Sequence, residues 1–331
     1  MQDRQQYVVY NNSESNCKTI TCGVPQGSIL GPLLFLLYIN DISYISKILS
    51  FILFADDTNI LYSNSDIWEL ERLVNTDLSI LSDWFKANRL SLNIQKTNFM
   101  LFGFKHIRIT DFRDFHIKID SINISRVETT KFLGIIIDEK LKWQHHISYV
   151  ALKLAKSIGI LNRLKTKLPK SCLLTVYYSL IYHHLTYCNI VWGSASKSMI
   201  SELVILQKRA IRIITKSHYL SHTNPLFKEL NILKLEDINV YCCCSFIFKF
   251  ICNELPNACH CSLVLHNASH SLYNFRHNSD FNIPPFRTSV REKFIAIRGP
   301  RYWESLPSEI RSAPSCYSFN LNLRKYIVHR Y

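Results

Sequence analysis

The sequence predicts an α+β protein: an antiparallel sheet with helices on one face over roughly residues 1–140, basic helices over 141–220, and a mostly helical extension over 221–331. Three observations carry this. The first third holds short apolar runs bounded by turn residues, the pattern of strands and hairpins. From Trp143 onward the apolar residues recur at helical spacing. The composition, 47% hydrophobic and 12% aromatic with 8 Gly and 10 Pro in 331 residues, is that of a chain with a packed core.

The elements follow in order. Residues 7–10 and 18–21 read as a strand pair joined by the polar turn 11–16. A glycine- and proline-rich loop at 23–27 leads to Pro32, which opens an apolar helix over 33–39. Residues 51–62 form a hairpin with an acidic turn. Asp66 and Glu69 resemble a capping box, and Ile67, Leu70, Leu73, Val74, Leu78, Leu81 and Phe85 give the helix behind it one apolar face. Strands are expected at 92–94, 98–102, 115–119 and 131–137, completing a split βαβ pattern with further strands. Helical sets then run through Ile147–Leu161, 173–185 and 200–214. The stretch 253–282 is a polar connection, and short helical pieces with Trp303 and Pro307 close the chain.

Charge is concentrated. The whole chain carries +14, and residues 140–234 alone hold 15 Lys+Arg against Glu202 and Glu229, so nearly all the excess lies there. A block this one-sided calls for a polyanionic partner, since a merely solubilising surface mixes both signs. The start has no apolar signal segment, and no apolar run reaches the ~18–20 residues that span a bilayer. The expectation is therefore an intracellular protein, nuclear or cytoplasmic, with no membrane partner. Eleven cysteines fit a reducing compartment. Cys242, Cys243 and Cys244 read as small core residues. Cys259, Cys261, His266 and His270 lack the Cys-x2–4-Cys spacing of structural zinc sites, which argues against zinc there.

The sharpest chemical feature is Asp56 next to Asp57 in the hairpin. Adjacent carboxylates repel, and a fold that keeps them together commonly binds a cation. Alone, such a pair is an ordinary solvated turn. Its context differs: GVPQGSILGPLLF occupies 23–35, FADDT 54–58, LNIQKT 92–97 and KFLG 131–134. They precede Val191-Trp192-Gly193, Leu206-Gln207-Lys208-Arg209-Ala210, and a tail with Arg298-Gly299-Pro300-Arg301-Tyr302-Trp303 and Leu306-Pro307-Ser308-Glu309-Ile310-Arg311. In this order the motifs resemble the reverse transcriptases of non-LTR retrotransposons, the Jockey-like branch in particular, over nearly the whole chain. Group II intron maturases and telomerase share the chemistry but match this wording less well.

The resemblance implies a polymerase palm over 1–140, a helical thumb over 141–220 and a C-terminal extension. It implies RNA-directed DNA synthesis with dNTP substrates, an RNA template and DNA primer, and two Mg²⁺ or Mn²⁺ ions in the intact parent. Asp56 and Asp57 would be catalytic metal ligands, and Lys96 would act on the departing pyrophosphate. Pro25, Gln26 and Gly27 would meet template and nucleotide, and Phe132, Leu133 and Gly134 the primer end. Lys153, Lys156, Lys165, Lys167, Lys208, Arg209 and Arg212 would face the backbone of an RNA–DNA duplex. The family also draws a metal ligand from an aspartate strand ahead of the 23–27 loop, where this chain has only Asp3 and Glu14. The expectation is a fragment, inactive alone, whose alternative role is nucleic-acid binding through its basic helices.

Overall fold

The computed structural model describes residues 4–20, 23–25, 27–103, 115–260, 263 and 281–331. It divides into two compact units, Met1–Val127 and Glu128–Tyr331, each with its own apolar core.

In the first unit β1 (Arg4–Gln6) pairs antiparallel with β4 (Lys18–Ile20), and β2 (Val9–Tyr10) with β3 (Ser13–Glu14). The expected pairing of 7–10 with 18–21 is therefore not formed: 18–20 pairs with 4–6, and Val9–Tyr10 folds back on Ser13–Glu14 inside the expected loop. Asn11 and Asn12 turn this inner hairpin at φ +46° and +59°, the left-handed backbone that asparagine tolerates best after glycine. Helix α1 (Leu30–Ile39) starts earlier than its proline suggests, with Pro32 inside the first turn. Strands β5 (Ser50–Phe54) and β6 (Asp57–Leu61) form the acidic hairpin.

Helix α2 (Ile67–Ala87) is capped by Asp66, whose carboxylate accepts the backbone N–H of Trp68 (2.8 Å) and Glu69 (3.4 Å). Only half of the capping box forms: Glu69 instead holds Arg72 at 2.7 Å, and Asn64 Oδ1 accepts the Asp66 N–H. Leu78, Leu81 and Phe85 on its buried face join Ile42, Phe115 and Ile117 in the core.

The strand expected at 92–94 is absent. The Asn93 carbonyl accepts the N–H groups of Lys96 and Thr97, both at 3.1 Å, and its side-chain Oδ1 accepts the Lys96 N–H at 3.2 Å, coiling the chain into a turn. This is the local competition by which asparagine favours turns over ladders. Strand β7 (Asn98–Phe99) pairs parallel with β10 (Ser125–Arg126), and β8 (Lys118–Ile119) with β9 (Ile122–Asn123) in a hairpin. Among the described residues every sheet has two strands, so the expected continuous antiparallel sheet is realised as separate pairs. Strands of two to five residues offer few ladder bonds beyond those of their own hairpin.

The second unit opens with the hairpin β11 (Thr129–Phe132) and β12 (Ile135–Asp138). Helix α3 (Gln144–Leu164) follows, then α4 (Lys170–Tyr177), which runs through a π-helical turn at Tyr178–Tyr182 into α5 (His183–Thr186). Next come α6 (Asn189–Trp192), α7 (Lys197–Thr215), α8 (Asn224–Leu230), α9 (Leu235–Ile251) and α10 (Asn257–His260). After the segment before residue 281 lie α11 (Ser289–Glu292), α12 (Ile295–Glu304), α13 (Ser308–Arg311) and α14 (Cys316–His329).

Helix α3 packs on α7, and α9 on α12 and α14. One core runs from Ile135 to Val328, so the helices before and after residue 220 are built on the same interior, and β12 packs on α3. Cys244 is buried in it as a small apolar residue; Cys243 is buried beside Asn239, and burial pushes its thiol up to about 11. Cys259 is half-buried in α10; Cys261, His266 and His270 lie outside the described residues. No described helix is long and apolar enough to cross a membrane.

Candidate functional site

The acidic hairpin is built for display. Phe51, Leu53 and Ile60 pack against the first unit's core, while Ile52 and Phe54 alternate outward. Phe54 pairs with Asp57, leaving Ala55 and Asp56 as a two-residue turn. Ala55 carries a φ of +51°, a left-handed position where a Cβ costs about 1 kcal/mol. Asp56 and Asp57 are both exposed. Among the described residues neither is in an ion pair, and no third histidine, cysteine or acid joins them in a metal-sized cluster. Two free, adjacent carboxylates on a rigid hairpin suit a hard divalent cation, which takes oxygen ligands and completes its shell with water or substrate oxygens.

The 23–31 loop and α1 belong to the same unit. The Arg4 guanidinium donates to the Gly23 carbonyl and ties the loop to β1. Gly23 and Gly27 sit at φ +79° and +81°, and a Cβ on either would meet no protein atom. Their requirement is conformational, and the space beside them is open. Ser28 Oγ accepts the Gly31 N–H at 2.9 Å and fixes the entry into α1, whose Phe35 reaches the same core as the acidic hairpin. Pro25 and Gly27 are exposed on this loop, and Gln26 lies outside the described residues. Lys96 is exposed on the Asn93 turn.

In the second unit, Leu133 and Gly134 turn the β11–β12 hairpin at φ +45° and +85°. The Tyr187 hydroxyl donates to the Leu133 carbonyl at 2.6 Å, and its ring lies 3.4 Å from where a Gly134 Cβ would stand. At the hairpin's other end buried Asp138 accepts the N–H groups of Lys140 (3.1 Å), Lys142 (3.0 Å) and Trp143 (2.7 Å), seating the start of α3.

Three of the seven basic residues singled out in the sequence come together. Lys165, Arg209 and Arg212 line one groove of roughly 690 Å³ between the end of α3 and the second half of α7. It gains Lys216 and Tyr219, which sequence reasoning missed. Arg209, Arg212 and Lys216 stand at i, i+3 and i+7, so helical spacing alone places them on one face. Lys153 lies elsewhere, 5.5 Å over the Tyr149 ring, which Lys131 also approaches at 5.6 Å. Lys156 and Lys167 are exposed outside the groove, and Lys208 is half-exposed.

Residues 3–137 match the reverse transcriptase (RNA-dependent DNA polymerase) family. The matched segment takes in the 23–31 loop, the acidic hairpin, Lys96 and the β11–β12 turn. Over 72% of its length the chain is 28% identical to a probable RNA-directed DNA polymerase from transposon BS of Drosophila melanogaster. It is 25% identical to one from transposon X-element and 24% identical to the RNA-directed DNA polymerase from mobile element jockey, both of the same fly and again over 72% of the chain. The chain is thus similar to the polymerases of Jockey-like non-LTR retrotransposons. It spans only about a quarter of these relatives, 27%, 26% and 26% of their lengths. No solved structure gave a significant match.

Proposed function

We propose that this chain is part of an RNA-directed DNA polymerase, its first unit contributing palm surface and its second unit a helical thumb with the C-terminal extension. The observation that carries the reading is the exposed Asp56–Asp57 pair, displayed without a counter-cation at the tip of a core-anchored hairpin inside the matched segment. When bound, two Mg²⁺ or Mn²⁺ ions would activate a primer hydroxyl and neutralise the leaving pyrophosphate. Asp56 and Asp57 would hold them, with at least one further oxygen ligand from substrate or another carboxylate.

Pro25, Gln26 and Gly27 would lie against the templating base and incoming dNTP, where the open space at Gly23 and Gly27 leaves backbone accessible. Lys96 would balance charge on pyrophosphate. The turn at Phe132, Leu133 and Gly134 would hold the primer end, its tip fixed by Tyr187. Lys153, Lys156, Lys165, Lys167, Lys208, Arg209 and Arg212 would neutralise the backbone of a template–primer duplex.

A second reading rests on the charge distribution. The +13 block over 140–234 supports nucleic-acid binding by the second unit without catalysis. One experiment addresses both. Given RNA template, DNA primer, dNTPs and Mg²⁺, the purified chain is expected to bind the heteroduplex with a steep inverse dependence on salt and not to extend it, since among the described residues no third acid joins Asp56 and Asp57. Extension that Asp56→Ala abolishes would overturn the expected inactivity. A log–log salt slope near zero would overturn nucleic-acid binding altogether.

A further inference from the structure

We propose that the groove between α3 and α7 binds single-stranded nucleic acid, seating a phosphate among Lys165, Arg209, Arg212 and Lys216 and stacking a base on Tyr219. The inference rests on the reading of the second unit as a nucleic-acid-binding element, and it moves Lys165, Arg209 and Arg212 from the duplex backbone to a single strand with a base contact.

The groove's shape is the first argument. A duplex backbone is met by cations spread along an open face, each touching its own phosphate. Here four cations converge on a concavity of roughly 690 Å³, the size of a small-ligand pocket. Its lining also includes Ile205 and Ile213. Apolar walls do nothing for a phosphate backbone, but they suit the faces of an unstacked base.

The second argument is the rim. Tyr219 is 73% exposed, and its ring lies beside that of His218, centroids 4.5 Å apart. A tyrosine this exposed contributes little to the fold, whereas a free aromatic face next to phosphate-binding cations is what single-strand binders present to successive bases.

The third argument is readiness. Among the described residues none of the four cations is in an ion pair. The Arg212 Nε donates to the Ser221 carbonyl at 3.0 Å, which orients the guanidinium before any ligand arrives. Lys216 ends α7 at φ +54°, the helix-terminating position where glycine is ordinarily preferred. A lysine there is unfavourable for the backbone and supplies a cation to the groove.

That last feature provides a test insensitive to misfolding. Fluorescence anisotropy of the full chain would be read with three labelled probes: a short single-stranded RNA, the same sequence as DNA, and an RNA–DNA heteroduplex. Tyr219→Ala is expected to weaken single-strand binding about tenfold and heteroduplex binding less than twofold. Lys216→Gly is expected to weaken single-strand binding about threefold while the melting temperature holds or rises. Equal loss on all probes with Tyr219→Ala, or no loss, overturns the inference while leaving heteroduplex binding by the unit intact. Failure of the unmodified chain to bind any probe overturns both it and the broader reading. Whether RNA or DNA binds more tightly identifies the strand.

Discussion

At the scale of single residues, the sharpest constraint lies at Gly193. A Cβ there would stand 2.3 Å from Asn189 Oδ1, 2.4 Å from Asn239 Nδ2 and 2.5 Å from the Asn189 carbonyl. All three atoms belong to a buried network. Asn239 Nδ2 donates to Asn189 Oδ1 (2.9 Å) and to the Asn189 carbonyl (3.0 Å), and Arg298 donates to Asn239 Oδ1 (2.6 Å) and to the Ile190 carbonyl (3.0 Å). The Val191–Trp192–Gly193 and Arg298–Gly299–Pro300 motifs, read in the sequence only as family wording, therefore meet in space through Asn239. Gly193→Ala is expected to destabilise the second unit by about 2–3 kcal/mol through overpacking and a broken network. Gly159→Ala, in α3 where a Cβ meets nothing, should instead stabilise by about 1 kcal/mol. Urea midpoints followed by tryptophan fluorescence separate the two, and equal shifts would contradict the packing.

At the scale of elements, the β11–β12 hairpin and α3 are joined through β12 by Asp138 and His146. His146, 3% exposed, accepts the Ile136 N–H on Nδ1 at 3.3 Å and packs edge-on against Trp192. Burial pulls its imidazole down to about 4. The unfolded chain binds a proton near the ordinary value of 6.5 that the folded chain refuses until about 4. The neutral form's stabilisation is thus whole above pH 6.5 and is lost as pH falls from there toward 4. The loss should reach about 2–3 kcal/mol at pH 4.5. His146→Gln should flatten that part of the stability profile; if wild type and variant lose stability in parallel between pH 7 and 4.5, His146 is not the group responsible. Elements also differ in how far the sequence betrayed them. Helix α2 was legible because a cap and an apolar stripe agree, and the acidic hairpin because apolar strands flank polar turn residues. The turn at Asn93 was not, since Leu92 and Ile94 alternate like a strand while a single asparagine decides the backbone. The groove was half legible: helical spacing puts Arg209, Arg212 and Lys216 on one face, but Tyr219 lies beyond the helix and no periodicity brings Lys165 beside them.

At the scale of the whole molecule, the two cores are unequal. Among the described residues the first draws ten buried apolar side chains: Leu78, Leu81 and Phe85 from the long helix α2, the others from α1, the turn after it, β8 and connecting segments. The second spans Ile135 to Val328 and includes the fully buried Leu154, Trp192 and Phe319. The sequence pointed to a break near 140 because that is where periodicity changes from strand to helix. The compact units instead part at Val127, because β12 is apolar toward α3 and supplies Ile135 to the larger core. Periodicity reports the kind of element, whereas unit membership depends on which face finds a partner. Since stability scales with the apolar surface removed from water, and separate cores need not melt together, denaturation should proceed in two steps, the first unit at lower urea. Trp68 and Trp84 report the first unit, and Trp143, Trp192 and Trp303 the second. Leu81→Ala is expected to shift only the first transition and Phe319→Ala only the second, each by about 2–5 kcal/mol. A single transition that both substitutions move equally would show that the two cores stand or fall as one.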